Sequence, residues 1–63
     1  MKYHIKVYLK DVEAHSLAVE GEANAKETAL YIGRHGLDYH YADGSHGFFP
    51  VSAITQIQWF KVT

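Results

Sequence analysis

Histidine is the residue type in this sequence with the widest chemical use. Five histidines occur among 63 residues. His40 and His46 flank the Asp43-Gly44 dipeptide, and His35 lies just upstream. Imidazoles combined with the carboxylate of Asp38 or Asp43 could hold zinc, which usually takes four ligands in a structural site. The spacing matches no known zinc motif, so we predict ordinary surface histidines, no metal site and no cofactor.

The turn between His40 and His46 decides whether these two side chains can act together. Asp43-Gly44 is a strong signal for a tight β-hairpin. With a two-residue turn, His46 would lie opposite Tyr41, and the two imidazoles would occupy opposite faces of the hairpin. A longer loop would bring the two rings nearer. The sequence leaves both arrangements open.

The same turn contains the residue types of a nucleophilic triad, in Asp43, Ser45 and His46. A triad needs side chains that converge from separate elements, which neighbours in one turn do not supply. The acids of the middle segment are Glu20, Glu22 and Glu27. They fit a helix start or solvent-exposed positions better than a general acid/base pair. We therefore predict no catalytic residues and no enzymatic activity.

A basic and aromatic stripe follows one face of the first predicted strand. Its members are Lys2, His4, Lys6, Tyr8 and Lys10. Such a stripe could follow a phosphate backbone while the ring stacks on a base. Lysines also protect exposed edge strands from aggregation, and this simpler interpretation is favoured. Nucleic-acid binding is kept as the alternative function.

The C-terminal half contains more aromatic side chains than one thin core layer needs. The candidates for an exposed interface are Trp59, Phe60, Phe49 and Tyr41. A surplus of rings on one side would form an apolar patch of the kind that marks an interface. Trp59 could equally be the main core residue under the helix.

The hydrophobic pattern predicts the elements that position these residues. Residues 2–10 alternate cleanly, which indicates a strand with one buried face, and residues 16–20 alternate as its hairpin partner. Residues 25–35 form a helix, capped by Asn24 and ended by Gly36. Residues 37–41 and 48–49 flank the second turn, and a bend at 52–54 leads into a last strand over 55–62.

The last strand has apolar residues on both of its faces. Either Ile57 and Trp59, or Ile54, Phe60 and Val62, could point inward, which suggests that both faces are covered. The sum is an α+β domain, β-β-α-β-β(-β). It has a small, mostly antiparallel sheet of four to five strands with one helix packed on one face.

Composition limits the function classes. We expect one domain, residues 1–63, because the chain is too short for two. Net charge is −1 and cysteine is absent, which excludes disulfides and thiolate metal sites. No apolar run resembles a signal peptide or the roughly 20 residues of a membrane helix. We therefore expect a cytoplasmic protein that does not bind membranes.

Residues 48–57, Phe-Phe-Pro-Val-Ser-Ala-Ile-Thr-Gln-Ile, resemble the closing segment of small uncharacterised proteins from phages and prophages of Gram-positive bacteria. The opening strand and its acidic turn are also similar to theirs. The resemblance covers about half the chain and implies an accessory role. The same ten residues are similar to the last strands of Sm-like RNA-binding proteins, although here the helix lies in mid-chain.

These observations predict a non-enzymatic interaction module that self-associates, with a dimer favoured, and binds a protein partner. The alternative is a small nucleic-acid-binding protein that uses the stripe on the first strand.

Overall fold

The strand over Lys2–Leu9 (β1) lies in the middle of a three-stranded antiparallel sheet, between the strands over His15–Glu20 (β2) and Ile54–Lys61 (β5). The structure is a computed structural model and describes residues 1–62. A separate two-stranded antiparallel sheet pairs the strand over Leu37–His40 (β3) with the strand over His46–Phe49 (β4). In chain order, the elements are β1 (Lys2–Leu9), β2 (His15–Glu20), α1 (Glu22–His35), β3 (Leu37–His40), β4 (His46–Phe49), a 3₁₀ turn (Val51–Ala53) and β5 (Ile54–Lys61). The predicted α+β class with one helix is confirmed, and the five strands divide between two sheets.

The central position of β1 changes the interpretation of its lysines. Lys6 lies opposite Ser16 of β2 and also opposite Gln58 of β5. A strand that is bonded along both edges has no free edge to protect, because its backbone groups are already paired. The prediction that these lysines protect an edge strand is therefore wrong.

Helix α1 covers one face of this sheet and closes the core. Ile5 and Val7 are fully buried beneath it, as their alternation with polar neighbours predicts. The remaining core residues are Leu9, Ala25, Ala29, Ile32 and Leu37. Small alanines on the buried side of α1 let the helix approach the sheet closely.

The helix begins earlier than Asn24. It starts at Glu22, and Gly21 is the N-cap residue with a φ of 89°. The Ala25 amide donates to the Gly21 carbonyl at 3.0 Å, which forms the first helical hydrogen bond. Because Gly21 adopts a positive φ at no steric cost, β2 passes directly into α1 without a side-chain cap.

A register shift in the β1–β5 pair explains the two apolar faces of the last strand. Ile57 lies opposite Val7, whereas Ile54 lies opposite Leu9, so β5 has one extra residue between them. Because of this extra residue, Ile54 lies on the helix-facing side of the sheet, together with Ile57 and Trp59. Phe60 lies opposite His4 on the other face of the sheet.

Gly36 ends α1 as predicted, and its neighbours make glycine a strict requirement. Its φ is 95°, and a Cβ atom there would lie 2.6 Å from the Phe49 carbonyl oxygen and 2.8 Å from the Phe48 ring. Gly44 has a similar φ of 90°, but no atom lies within 4 Å of its Cβ position.

These two glycines provide a matched test of the packing between α1 and β4. We expect Gly44→Ala to cost on the order of 1 kcal/mol, from backbone strain alone. Gly36→Ala should cost clearly more, above about 2 kcal/mol, because strain and a backbone clash add. Urea unfolding measures both. Equal losses would show that the close approach at Gly36 does not contribute.

Candidate functional site

The outer edge of β5 is the longest unpaired strand edge in the described part of the chain. The Val62 amide donates to the Lys2 carbonyl at 2.9 Å, which fixes the alternation of the β1–β5 ladder. Even-numbered residues of β5 from Gln56 onward therefore bond to β1. The backbone N–H and C=O groups of Ile57, Trp59 and Lys61 point to the free edge.

Two of the predicted interface residues flank this edge on opposite faces. Trp59 lies on the helix-facing side and is 39% exposed, although its cross-strand partner Ile5 is fully buried. Phe60 lies on the outer face, 42% exposed, with its ring 5.9 Å from that of His4. Trp59 is thus an exposed residue outside the core cluster, and its surface lies beside unpaired backbone groups.

The helix adds a further apolar side chain on the same side. Gly33 faces β5, since a Cβ built there would lie 3.6 Å from the Ile57 Cδ1 atom. Leu30 precedes Gly33 by three residues and so lies on the neighbouring part of the helix surface. Leu30 is 45% exposed. The exposed surfaces of Leu30 and Trp59 therefore belong to the β5 side of the domain.

The opposite edge of the sheet, on β2, is partly covered by the β3–β4 hairpin. The His15 ring lies 4.5 Å from Tyr39, 5.8 Å from Tyr41 and 5.1 Å from Phe49 between ring centroids. The Tyr39 hydroxyl donates to the Ser16 carbonyl at 3.5 Å. Two predicted interface residues, Tyr41 and Phe49, thus lie in this aromatic cluster, apart from Trp59 and Phe60.

The predicted nucleic-acid stripe lies on the outer face of the three-stranded sheet, which α1 leaves uncovered. Lys2, His4, Lys6 and Tyr8 share that face, and Lys10 follows the strand. The Tyr8 hydroxyl donates to the Gln58 Oε1 atom at 3.1 Å, and the Lys6 Nζ atom lies 5.3 Å from the Tyr8 ring. Glu20 stands directly opposite Lys2. An acid beside the stripe weakens its attraction for phosphate.

The hairpin brings His40 and His46 together. The two residues are direct cross-strand partners, and their ring centroids are 4.2 Å apart. Five residues, 41–45, connect the two strands, and within them the Tyr41 amide donates to the Ser45 carbonyl at 2.9 Å. The longer of the two loops considered from the sequence is therefore the one observed, and Asp38 joins the two imidazoles within 4.8 Å. His35 lies outside this group, 4.3 Å from the Tyr31 ring.

The residues of the possible triad do not converge. The Ser45 hydroxyl and the Ser45 amide both donate to the Asp43 Oδ1 atom, at 2.6 Å and 2.9 Å. These bonds, the hydroxyl first, hold the pKa of the Asp43 carboxyl below its ordinary value. The serine hydroxyl is thus oriented towards a carboxylate in its own turn, while His46 packs against His40.

An apolar cleft of about 370 Å³ lies between α1, β2 and the hairpin. Its wall residues include Leu17, Tyr31, Leu37 and Phe48, with Asp38 at the hairpin side. No sequence signal marked this cleft, because its walls come from elements that are distant along the chain.

The chain matches no protein-family model, no curated protein and no solved structure. Among the described helical residues, no helix has the length and apolarity to cross a membrane.

The Asp43 carboxylate stabilises the hairpin turn in a pH-dependent manner. A carboxyl whose pKa is lowered by folding stabilises the native state above its unfolded pKa, and the effect is lost as pH falls through the folded pKa. Asp43→Ala should therefore lower the urea midpoint at neutral pH, and the difference from wild type should shrink as the pH falls below 3.8, the ordinary pKa of the carboxyl. Ser45→Ala, which keeps the backbone donor, should show a smaller loss. A deficit that does not change with pH would contradict this role.

Proposed function

We propose that this chain is a non-enzymatic interaction module that forms a homodimer through the outer edge of β5 and binds a protein partner. The observation that supports the proposal is the unpaired backbone of Ile57 and Trp59 beside exposed apolar side chains. Such an edge readily accepts another strand, because every added strand satisfies backbone groups that otherwise bond to water. The β2 edge is a weaker candidate, since the hairpin lies against it.

The alternation of the ladder restricts how two copies can pair. A two-fold axis makes the interface self-complementary, so β5 of one copy runs antiparallel to β5 of the other. With the axis at Gln58, Ile57 lies beside Trp59 of the second copy, and Phe60 lies beside Gln56. With the axis at Trp59, Lys61 would lie beside Ile57. The first register matches apolar with apolar side chains and is the one we propose.

The proposed dimer is a six-stranded sheet with both helices on one face. The β5 sides of the two α1 helices would then be neighbours, and the exposed surface of Leu30 would be covered. One strand pair with a few side chains is a small interface, below about 1,200 Å². A concentration-dependent equilibrium between monomer and dimer is therefore expected rather than a permanent dimer.

Disulfide trapping tests the register, because the chain has no native cysteine. Gln56 and Gln58 both lie on the outer face of β5, opposite β1 residues. With the axis at Gln58, its two Cα atoms would be about 4.5 Å apart, a non-hydrogen-bonded spacing suited to a disulfide. The Gln56 positions would be roughly 13 Å apart, four residues along the strands. Mild oxidation should cross-link Gln58→Cys and leave Gln56→Cys monomeric on a non-reducing gel.

Sedimentation equilibrium of the chain without introduced cysteines, in a buffer that contains a chelator, measures dimerisation independently of the cross-link. Leu30→Glu should weaken dimerisation at least about tenfold, because it places two like charges beside the axis, and tenfold corresponds to about 1.4 kcal/mol. Tyr31→Glu places the same charge at another large, exposed helix residue, on the side of the cleft, and should leave dimerisation unchanged. A wild-type chain that stays monomeric from micromolar to millimolar concentration would exclude the proposed dimer.

A second candidate function is binding of single-stranded nucleic acid to the outer face of the sheet. Its support is the uncovered face of the sheet. Phe60 lies there opposite His4 of β1, and Lys2 and Lys6 lie two residues to either side of His4. A flat sheet face with exposed rings and lysines can stack bases and contact phosphates. The mixed charge of the face makes this the weaker candidate.

Charge reversal separates this candidate from nonspecific attraction. If the face binds nucleic acid, Lys2→Glu and Lys6→Glu should each abolish most binding of a single-stranded oligonucleotide at low salt, whereas Lys26→Glu on α1 should not. Binding should also weaken steeply as salt rises, since phosphate contacts release counterions. Fluorescence anisotropy measures both. No binding by the wild type at low salt would rule the candidate out.

The proposals for a protein partner and for the cellular location are based on the sequence. A phage-type accessory role is proposed from the resemblance of residues 48–57 and of the opening strand with its acidic turn. A cytoplasmic location is proposed because a chain without cysteine suits a reducing compartment.

A further inference from the structure

The outer face of the β3–β4 hairpin presents three potential metal ligands in one place. His40 and His46 occupy a non-hydrogen-bonded pair, because the next pair, Tyr41 with Ser45, is hydrogen-bonded. Side chains are closest at such positions. Asp38 precedes His40 by two residues and therefore shares its face. One ligand atom from each of the three side chains lies within 4.8 Å of the other two.

These side chains have no other structural task within residues 1–62. All three are exposed, and none takes part in a side-chain hydrogen bond or ion pair in that range. Hydrogen bonds of the turn, in contrast, are made by Asp43 and Ser45. An exposed hairpin face has no packing reason to hold two imidazoles edge to face beside a carboxylate.

The inner face of the hairpin fixes the backbone that holds the three ligands. Leu37 is buried in the core, and Tyr39 packs on His15. The Tyr41 ring lies across Gly47, where a Cβ atom would be only 2.9 Å from the ring. Because the inner face locks the register, the backbone positions of the three residues are set before any ion binds, which lowers the entropic cost of binding.

We propose that Asp38, His40 and His46 bind a divalent transition-metal ion, with zinc as the expected ion. Two imidazoles and one carboxylate suit zinc and its neighbours in the first transition row, whereas calcium and magnesium prefer sites made wholly of oxygen. Three protein ligands leave one tetrahedral position for water. This site is independent of the proposed dimer and differs from the sequence-based expectation of no metal.

The ligand spacing is compatible with binding after small rotations. Zinc bonds of about 2.0–2.1 Å place tetrahedral ligand atoms roughly 3.3 Å apart. The present spread of up to 4.8 Å must therefore contract. Exposed imidazole and carboxylate groups can make this adjustment through their χ angles while the backbone stays in place.

Calorimetric titration of the untagged chain with zinc chloride tests the proposal directly. We expect saturable binding of one ion per chain. His40→Gln, His46→Gln and Asp38→Asn should each lower the affinity at least about tenfold, since loss of even an outer-shell partner costs about 10- to 100-fold. His35→Gln changes an exposed imidazole outside the group and should bind as the wild type does. Magnesium should not compete.

Two further measurements keep the result independent of folding defects in the variants. Cobalt bound to the wild type should give the visible absorption of a tetrahedral ion, and zinc should displace it. Zinc should also raise the melting temperature of the wild type and of His35→Gln, but not that of the His40→Gln, His46→Gln double variant. Absence of saturable zinc binding by the wild type, or unchanged binding by the double variant, would overturn the proposal.

Discussion

Strand β1 is hydrogen-bonded along both of its edges, and the positions of the other elements depend on this double pairing. Its inner residues, Ile5 and Val7, are fully buried beneath α1, so the strand cannot slip by one residue without moving that pair to solvent. Placing β1 in the centre leaves β2 and β5 as the two edges. The function proposed for the chain depends on which edge stays open.

The aromatic side chains are divided between these two edges. Around His15, the rings of Tyr39, Tyr41 and Phe49 attach the hairpin to β2 and so occupy that edge. Trp59 and Phe60 remain on β5, partly exposed and next to unpaired backbone. The aromatic side chains that a thin core does not need therefore lie in two places. Some form the cluster around His15 that holds the hairpin on β2, and the others lie at the open edge of β5.

The inner face of the hairpin packs against the rest of the domain, whereas its outer face is exposed. Inner contacts set its register, and the register in turn opposes His40 to His46 on the outer face. Any ligand bound there would meet groups that are already positioned. The β5 edge and the hairpin face belong to different sheets, so association of the chain and ion binding by the hairpin can be altered separately.

The sequence by itself determined the local elements, because their signals lie between near neighbours. The alternation of β1, the presence of one helix in mid-chain, its end at Gly36 and the hairpin around Asp43-Gly44 all follow from such signals. It also named Trp59, Phe60, Phe49 and Tyr41 as candidate interface residues, and it considered His40 and His46 as metal ligands but disfavoured them. The predicted start of the helix was wrong. Asn24 is a good capping residue, but the helix already begins at Glu22 because Gly21 connects β2 directly to it.

Only the tertiary structure decided the strand order, the register shift in β5 and the five-residue hairpin loop. Each depends on contacts between residues that are distant along the chain, such as the pairing of His4 with Phe60, and local preferences do not specify which distant strands pair. The free edge of β5 and the grouping of Asp38 with the two histidines are consequences of those pairings.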